Sequence, residues 1–483
     1  MSSDIQDSLH GLFYPRSLAV IGASSTPGKW GYNIFNRLIR SNVKAEVYPI
    51  HASADLVLGR RAYRSLAQVP GAIDLAVIVI PPEGVPAAMR ECVAKGVKAA
   101  IVITAGFKET GVEGGMLEDE VVAIARAGGV RLVGPNCNGH FNTALDLFTT
   151  EEAGTVPGPI SLVSQSGNFG IYILERAAER GAGFAKFVSS GNEADLTIED
   201  YLEYLAADED TRVICAYIES VKDGRRFLEL ARRITREKPI VAMKVGASAE
   251  GARAALSHTG SLSGSEEVYD AAFRQSGIIR VQEVDDMVDV ALALVGQPLP
   301  RGRRVAIVTG GGGFGVVATD ACRRRGLEVP PLAEETVQAL DKYLPPRWSR
   351  GNPVDMAGQV EGSYACIGNL LKLDYIDAVL AIGSIGFPIQ RYVSIDREDA
   401  GAQAYVKQMI DGELKMVEGL IERVHRHGKP LIVTSTLGGD SSPAIHRLKE
   451  AGIYTFGTPE AGAMVTSYLA SRAEYLGLVG PQQ

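Results

Sequence analysis

Cysteine is scarce in this sequence, and its placement excludes two common uses. Five cysteines stand among 483 residues, without any CxxC pair, so neither a disulfide framework nor a cysteine zinc site is indicated. The HxxH and HExxH spacings of metal sites are absent as well. We therefore expect no metal site, and we predict reduced, mostly buried thiols at Cys92, Cys137, Cys215, Cys322 and Cys366.

Long apolar runs and an excess of positive charge are also lacking. No stretch approaches about 18 uninterrupted apolar residues, and the amino-terminal segment lacks the charged and apolar parts of a secretory signal. The 49 basic residues are outnumbered by 57 acidic ones, giving a net charge of -8, and no basic block could follow a phosphate backbone. We expect neither a membrane nor a nucleic acid as partner, and we expect a cytoplasmic location.

Glycine, in contrast, is abundant, and its placement indicates the fold class. Many of the 54 glycines follow short apolar runs such as SLAVIG and KAAIVIT, which alternate with helical stretches along the chain. This alternation is typical of parallel sheets with crossover helices. The sequence predicts an α/β protein with three Rossmann-like or flavodoxin-like parallel-sheet domains in tandem, over residues 1–147, 155–297 and 302–483.

The first glycine-rich turn, GASSTPGKWG at 22–31, follows a strand and opens a helix, where backbone amides can hold a phosphate. It does not match the GxGxxG pattern of NAD-binding turns, because Ser24 stands at the second glycine position. The residue after the next strand is His51 rather than the acid that binds a ribose hydroxyl. NAD is therefore disfavoured, while another nucleotide and a plain tight turn both remain open.

The turn TGGGGFG at 309–315 satisfies the GxGxxG pattern formally, through Gly310, Gly312 and Gly315. The acid nearest the expected spacing is Glu328, which is predicted inside the next strand rather than at its end, and this weakens the NAD interpretation. A glycine nest that binds a small anion fits equally well.

A third strand-to-helix turn, SQSGNFG at 164–170, brings hydroxyl groups and amides to a helix start at Ser166, Gly167 and Asn168. This arrangement suits an anion. Gln165 replaces the first glycine of the hydrolase GxSxG turn, so a nucleophile elbow is not indicated. A simple helix cap is the alternative.

His258 is the histidine with the most suggestive surroundings, since it lies among small hydroxyl and glycine residues in GARAALSHTGSLSG. A neutral imidazole with a pKa of about 6.5 can accept a phosphoryl group. A phosphohistidine needs an acid to fix its tautomer, and Glu219 at the end of the strand RVICAYIES is the candidate. Most single loop histidines have no chemical role, and we expect solvated side chains for His425, His427 and His446.

Seven motifs occur in order along the chain: GASSTPGKWG, ITAGFKETG, GPNCNG, SQSGNFG, SSGNEADL, SHTGSLSG and NPVD. Together they resemble the acyl-CoA synthetases that form a nucleoside diphosphate, relatives of succinyl-CoA synthetase, and most closely the α subunit of the ADP-forming acetyl-CoA synthetases. The resemblance implies that the first domain binds coenzyme A, with contacts at Gly22, Ser24, Ser25, Lys29, Gly31, Pro49, Pro81, Pro82, Ile103, Thr104 and Ala105.

The resemblance also implies roles for the second and third domains, which would be a succinyl-CoA-synthetase-like flavodoxin domain and a flavodoxin-like ligase domain. It assigns the phosphohistidine to His258 and its carboxylate partner to Glu219. The helices that open at the second and third glycine turns resemble paired amino-terminal ends aimed at the phosphohistidine, with further residues reaching the site from the first domain. The implied phosphate and acyl residues are Asn136, Cys137, Asn138, Ser166, Gly167, Asn168, Gly311, Gly312 and Gly313.

Three residues depart from the family pattern, namely Asn138, His140 and Gly310. Family members usually carry apolar residues at the first two positions and asparagine at the third. We expect all three near the acyl or phosphate pocket, which makes a polar or larger carboxylate a candidate substrate besides acetate.

The implied reaction converts acyl-CoA, phosphate and ADP into carboxylate, CoA and ATP through an acyl phosphate and phospho-His258. No ATP-grasp module is recognisable in the 483 residues. The resemblance therefore implies that ADP or ATP with Mg²⁺ binds a separate ATP-grasp β subunit, expected as α2β2. Two alternatives remain open: a CoA-binding regulatory protein without turnover, and an NAD-dependent oxidoreductase that uses the turn at 309–315.

Overall fold

The computed structural model describes residues 3–246, 265–386, 400–435 and 442–479. They form three sheets of mainly parallel strands with helices between successive strands, which confirms the predicted α/β class. The chain divides into two compact units, residues 1–287 and 288–483. The division into three domains stays a prediction, because the first two sheets lie within one unit.

The first sheet has five parallel strands in the order β2-β1-β5-β6-β7. Every residue of β1, β5 and β6 is buried, as expected for apolar strands covered by helices on both faces. A small hairpin, β3–β4, follows β2. The strands are β1 (Ser17–Ile21), β2 (Glu46–Ile50), β3 (Leu56–Val57), β4 (Arg60–Arg61), β5 (Leu75–Ile78), β6 (Ala99–Val102) and β7 (Arg131–Val133), and the helices are α1 (Ser3–Phe13), α2 (Trp30–Arg40), α3 (Val85–Lys95) and α4 (Val112–Ala127).

The second sheet has seven strands in the order β14-β13-β12-β10-β11-β8-β9. Its four central strands include the run RVICAYIES, which the sequence marks as a strand. The strands are β8 (His140–Asn142), β9 (Leu147–Phe148), β10 (Val156–Ser164), β11 (Gly183–Ser189), β12 (Val213–Ile218), β13 (Ile240–Lys244) and β14 (Ile279–Val281), and the helices are α5 (Gly167–Glu179), α6 (Ile198–Ala207), α7 (Gly224–Ile234), α8 (Glu266–Ser276) and α9 (Val284–Gly296).

Residues 140–147, which the sequence analysis includes in the first domain, contribute strands to the second sheet. They form β8 and β9 at the edge of the second sheet, where β8 runs antiparallel to β11 with Asn142 opposite Lys186. The two strands span three and two residues, which is too short for a recognisable alternation of apolar and polar residues.

Helix α1, which the sequence analysis does not predict, packs against both α6 and β6. The ring of Phe13 stacks on Tyr204 with centroids 5.0 Å apart, and Gln6 Nε2 donates to the Glu203 carbonyl oxygen at 3.2 Å. The first and second sheets therefore share one apolar core.

The second unit contains the third sheet, with five parallel strands in the order β16-β15-β17-β18-β19. Its helices include one of 28 residues. The strands are β15 (Val305–Thr309), β16 (Val354–Asp355), β17 (Ala378–Ile382), β18 (Leu431–Thr434) and β19 (Thr455–Phe456), and the helices are α10 (Gly312–Arg324), α11 (Glu334–Leu340), α12 (Ser363–Leu370), α13 (Ala400–His427), α14 (Pro443–Glu450) and α15 (Pro459–Tyr475).

All five cysteines are free and buried, as predicted from their dispersed positions. Within the described ranges, each helix is too short or too polar to traverse a lipid bilayer. No group of three metal-ligating side chains comes together in that part of the chain either.

Candidate functional site

The principal cavity of the first unit lies at the carboxyl ends of β1, β5 and β6. The chain turns to opposite sides of the sheet after β1 and β5, and such a switch point is where doubly wound sheets bind ligands. The cavity measures about 850 Å³ and is lined by the segments that follow these strands, around residues 21–31, 79–81 and 103–105. Its volume is in the range of a small-molecule or cofactor site.

The first glycine-rich turn forms one wall of this cavity because its glycines allow the backbone to come close. Gly22 has a φ of +94°, and a Cβ there would overlap the Val79 carbonyl oxygen of the neighbouring strand. A Cβ on Gly31 would overlap the carbonyl oxygen of Gly22 itself. The Ser24 hydroxyl accepts a hydrogen bond from Thr26 N at 3.0 Å, within the turn that precedes α2.

The structure brings most of the residues proposed for coenzyme A together around this cavity. Those that line it are Gly22, Ser24, Lys29, Gly31, Pro81, Ile103, Thr104 and Ala105.

Three residues of the proposed set lie outside the lining. The Ser25 hydroxyl accepts from Leu58 N at 3.1 Å. Pro49 lies within β2, paired with Val20 of β1. Pro82 begins a short 3-10 helix, and its ring faces Gly106. The segments after the strand ends line the cavity as a group, but residues of one turn point in different directions.

Among the further lining residues, which the sequence did not indicate, four have aromatic or ionisable side chains: Trp30, His51, Arg64 and Glu91. His51 Nδ1 accepts from Ser53 N at 3.0 Å and Ala54 N at 2.9 Å, which places the ring proton on Nε2. The Arg64 guanidinium pairs with Asp55 at 2.6 Å. Apart from the position of His51 after β2, no local pattern marks these residues.

The floor of the cavity is the GPNCNG segment, which links the first sheet to the second. Asn136 Nδ2 donates to Asn192 Oδ1 at 3.3 Å, and Asn138 N donates to Ser189 Oγ at 3.0 Å. Cys137 also lines the cavity, but burial raises the pKa of its thiol to about 12, and its Sγ contacts the Val102 carbonyl oxygen at 3.4 Å. Cys137 is therefore a neutral packing residue rather than a nucleophile.

The amino end of α5 meets this floor. Ser166 is the helix cap, with its hydroxyl accepting from Phe169 N at 3.4 Å. Asn138 Nδ2 donates to Asn168 Oδ1 at 3.1 Å, and a Cβ on Gly167 would lie 2.5 Å from Asn138 Cγ. The proposed phosphate residues of the first and second sheets are thus in direct contact.

Glu219 lies at the carboxyl end of β12 and is 9% exposed. Its backbone N–H donates to Gln165 Oε1 at 2.6 Å, and its carbonyl oxygen accepts from Lys244 Nζ at 2.9 Å. Burial lowers the pKa of Lys244 to about 8, and Arg280 lowers it further while Glu219 opposes the shift. His258, the proposed partner of Glu219, lies outside the described residues.

Glu193 is a buried carboxyl in the loop beside this edge. It is 2% exposed, and its Oε1 accepts from the Ser190 hydroxyl at 2.7 Å. Burial raises its pKa to about 7, although the Ser190 hydroxyl and the Gln165 amide oppose the shift. Its other oxygen has no hydrogen-bond partner among the described residues. The same loop holds the cavity floor, since Asn192 N donates to the Pro135 carbonyl oxygen at 3.0 Å.

The glycine-rich turn of the second unit opens α10, with Gly311 as the capping residue in extended conformation. A separate cavity of about 380 Å³ lies beside it, lined by Gly312 and Asp355 among others. Glu328 was predicted inside a strand, but it forms only an isolated bridge with Arg304, at the amino end of β15. It therefore lies at the opposite edge of the sheet from the turn, where it cannot bind a ribose held by that turn.

His140 and Gly310, two of the three residues that depart from the family pattern, do not line the first cavity. Asn138 lines the cavity, whereas His140 is fully buried, with Nε2 donating to the Leu12 carbonyl oxygen and Nδ1 contacting Thr149 Oγ1, both at 2.8 Å. The expectation that His140 lies near the pocket is wrong, because its strand turns into the second sheet. Gly310 belongs to the third sheet, where its N–H donates to the Ile382 carbonyl oxygen at 3.1 Å.

Comparison with known protein families gives three matches in tandem. Residues 16–143 match a CoA binding domain, residues 157–294 a succinyl-CoA ligase like flavodoxin domain, and residues 305–381 a ligase-CoA domain.

Individual relatives span the chain. The alpha subunit of acetate–CoA ligase (ADP-forming) II from Pyrococcus furiosus is 40% identical over 96% of this chain and 98% of its own length. The ADP-forming 4-hydroxybutyrate–CoA ligase of Nitrosopumilus maritimus is 36% identical over 85% of this chain, which corresponds to 59% of that longer protein. Among solved structures, acetyl-coenzyme A synthetase 1 of Ca. Korarchaeum cryptofilum, in complex with phosphate and ADP, superposes with a TM-score of 0.83 at 33% identity over 98% of both chains.

Proposed function

Because this chain belongs to the family of the ADP-forming acyl-CoA synthetases, among their α subunits, we propose that it binds coenzyme A with its acyl group and carries a phosphoryl group on His258. The observation that carries this proposal is the cavity at the switch point of the first sheet. Its floor contacts the amino end of α5 through the hydrogen bond between Asn138 and Asn168. A thioester bound in the cavity would thus extend toward a helix end that favours anions.

The lining of the cavity fits the parts of coenzyme A. Lys29, Arg64 and the start of α2 supply positive charge and backbone donors for phosphate groups. His51 supplies an Nε2–H donor, and apolar side chains such as Ile80 and Ile103 suit the uncharged pantetheine arm. Gly22 and Gly31 permit the close backbone approach that forms the wall of the cavity, since a Cβ on either would overlap a carbonyl oxygen.

The proposed reaction has three reversible steps. Inorganic phosphate attacks the thioester carbonyl, which releases CoA as the thiol and forms an acyl phosphate. The imidazole of His258 then takes the phosphoryl group, and the carboxylate leaves with the remaining oxygen. Phospho-His258 finally transfers the group to the β-phosphate of ADP. Glu219 is the proposed carboxylate that orients the imidazole, and Ser166 to Asn168 with Gly311 to Gly313 are the proposed phosphate-binding helix starts.

A partner subunit is part of the proposal. ADP or ATP with Mg²⁺ would bind an ATP-grasp β subunit, and α2β2 is the proposed assembly. The designation of the Pyrococcus furiosus relative as an alpha subunit supports a separate partner, and so does the greater length of the Nitrosopumilus maritimus relative. The carboxylate remains open between acetate and a polar or larger acid, and a cytoplasmic location stays a prediction.

Labelled phosphate tests the proposal directly. The purified chain is incubated with labelled phosphate and a panel of acyl-CoAs, and we expect a protein-bound label that is labile in acid and stable in base. His258→Ala should abolish the label. His446→Ala is the matched control, because His446 lies on the surface of α14, 3.3 Å from Glu450, and it should label like the wild type.

Other outcomes point to the alternatives. Equal labelling of His258→Ala would overturn the assignment of the phosphohistidine. Tight CoA binding without any label, even beside a β subunit, would indicate a regulatory protein. A change in NADH fluorescence on titration would favour the oxidoreductase, although Glu328 lies at the wrong edge of its sheet for that role.

A further inference from the structure

Three adjacent strands of the second sheet end in one polar cluster. Gln165 follows β10, Glu219 follows β12, and Lys244 ends β13, and these strands are neighbours in the order β13-β12-β10. Carboxyl ends of neighbouring parallel strands meet at one edge. All three residues are at most 9% exposed, so each polar atom there must be paired or its burial is costly.

The side-chain amide of Gln165 makes three hydrogen bonds to the backbone beyond β12. Its Oε1 accepts from Glu219 N at 2.6 Å and from Ser220 N at 2.9 Å, and its Nε2 donates to the Ser220 carbonyl oxygen at 2.8 Å. The main chain of Gln165 also pairs with β12, since its N–H donates to the Tyr217 carbonyl oxygen at 3.2 Å. The side chain therefore extends the sheet ladder past the last strand residue.

Lys244, at the end of β13 on the other side of β12, contacts the same backbone segment. Its Nζ donates to the Glu219 carbonyl oxygen at 2.9 Å and lies 4.5 Å from the centroid of the Tyr269 ring. The Tyr269 hydroxyl in turn accepts from Val221 N at 3.2 Å. Residues 219–221 are thus fixed by side chains from both neighbouring strands and from α8.

We propose that Gln165 and Lys244 are positioning residues that fix the backbone of Glu219 and thereby the direction of its carboxylate toward the phosphoryl acceptor. This inference rests on the proposed function, in which Glu219 orients His258. The sequence analysis considered Gln165 only as the residue that excludes a nucleophile elbow. Small errors in the placement of a group that orients a reacting atom can reduce rates by about 100-fold.

A second glutamine in the chain makes the same kind of contact without any link to the proposed site. Gln297 Nε2 donates to the Leu431 carbonyl oxygen at 2.7 Å, and its Oε1 accepts from Leu431 N at 3.2 Å. Gln297 is 7% exposed, close to the 8% of Gln165. Gln297→Met is therefore a matched control for Gln165→Met, because both remove a buried glutamine that pairs with a strand backbone.

The test measures phosphoryl incorporation from labelled phosphate and acyl-CoA in the full chain, alongside the unfolding midpoint of each variant. We expect Gln165→Met to lower the maximal rate by about 10- to 100-fold, with a KM for acyl-CoA within about 2-fold of the wild type. Gln297→Met should show a similar shift in unfolding midpoint with a rate near the wild-type value. An unchanged rate in Gln165→Met would overturn the inference.

Substitutions of Lys244 provide a second, independent test of the inference. Lys244→Met leaves the Glu219 carbonyl oxygen without this donor, and we expect a lower rate at unchanged KM. Lys244→Arg retains a cationic donor and should recover most of the loss, whereas a purely structural lysine would show no such rescue. If Gln165→Met fails to fold, the Lys244 pair decides the inference, and an undiminished rate in Lys244→Met counts against the proposal.

Failure of this inference differs from failure of the proposed function. A wild-type chain without label contradicts the function itself. A labelled wild type with fully active Gln165 and Lys244 variants contradicts the positioning roles and leaves the phosphohistidine intact.

Discussion

The two glycine-rich turns at 22–31 and 309–315 both follow a strand and open a helix, yet their glycines serve different needs. In the first turn, added Cβ atoms on Gly22 and Gly31 would overlap the carbonyl oxygens of Val79, just after β5, and of Gly22. In the second turn, a Cβ on Gly310 would lie 2.9 Å from the Gly383 carbonyl oxygen, and Cβ atoms on Gly311 and Gly313 would meet no atom within 4 Å among the described residues. The turn that fails the GxGxxG pattern is therefore the one with the closer backbone contacts.

The difference shows what a glycine pattern can indicate. Close backbone approach between Gly31 and Gly22 brings the start of α2 against the end of β1, and this creates the wall of the first cavity. Gly311 and Gly313 leave the surface of the second turn open, which is the property expected where a helix end approaches an anion or another surface. The GxGxxG pattern alone does not distinguish a turn with close backbone contacts from a more open one.

The largest effect is expected from Gly31→Ala. The new Cβ overlaps the Gly22 carbonyl oxygen, and neither backbone segment can move without disturbing β1. We expect the unfolding free energy to fall by about 3 kcal/mol or more, with loss of CoA binding. Urea unfolding and calorimetric titration with CoA measure both effects.

Gly115→Ala is the control for that experiment. Gly115 lies inside α4, and a Cβ there meets no atom within 4 Å among the described residues. CoA affinity in Gly115→Ala should match the wild type. Tight CoA binding by Gly31→Ala would show that the close approach is not what shapes the cavity.

The second prediction compares how the stability of the two units changes at acidic pH. Burial lowers the pKa of His140 to about 4 in the folded chain, while an unfolded histidine titrates near 6.5. Between these values the unfolded state binds more protons, so the unfolding free energy falls as the pH drops from about 6.5 to about 4, by about 3 kcal/mol. Glu193, whose pKa is raised to about 7, acts in the opposite direction over part of this range.

The measurement is therefore a difference between wild type and His140→Gln. Hydrogen exchange of β10 and β12 across this pH range should show the wild type losing stability relative to the variant, by about 3 kcal/mol at the acidic end. In the second unit, His425 and His446 are exposed, and exchange of β15 and β17 should be the same in both proteins. A constant difference between the two proteins across the pH range would contradict a buried neutral His140.

The smallest effect is expected from Gly313→Ala. Gly313 is the second residue of α10, with open space around it, and alanine restricts the unfolded chain more than glycine does. We expect the unfolding free energy to rise by about 0.5–1 kcal/mol, measured by urea unfolding. A destabilisation as large as that of Gly31→Ala would remove the distinction between the two turns.

Most of the sheet architecture is predictable from the sequence because its central strands are short apolar runs. The runs at β1, β5, β6, β12 and β17 are buried along their whole length, so composition alone identifies them. The strands β8 and β9 are not predictable in this way, since their pairing with β11 depends on contacts distant in sequence.

The candidate site was predictable as a set of strand ends rather than as a set of side chains. Parallel topology directs the segments after β1, β5 and β6 to one cavity, which is why Gly22, Pro81 and Thr104 line it together. Which residue of each turn faces inward depends on local backbone geometry, and this excluded Ser25 from the lining. Gln165 was missed because its role depends on the backbone of a different strand.

The packing of α1 on α6 has a consequence for synthesis on the ribosome. Gln6 contacts Glu203 across 197 residues of chain, and Phe13 stacks on Tyr204. At about 5–20 residues per second, α1 emerges roughly 10–40 s before its final neighbour exists. Throughout that interval the apolar face of α1 is exposed on the nascent chain, where a ribosome-associated chaperone can bind it.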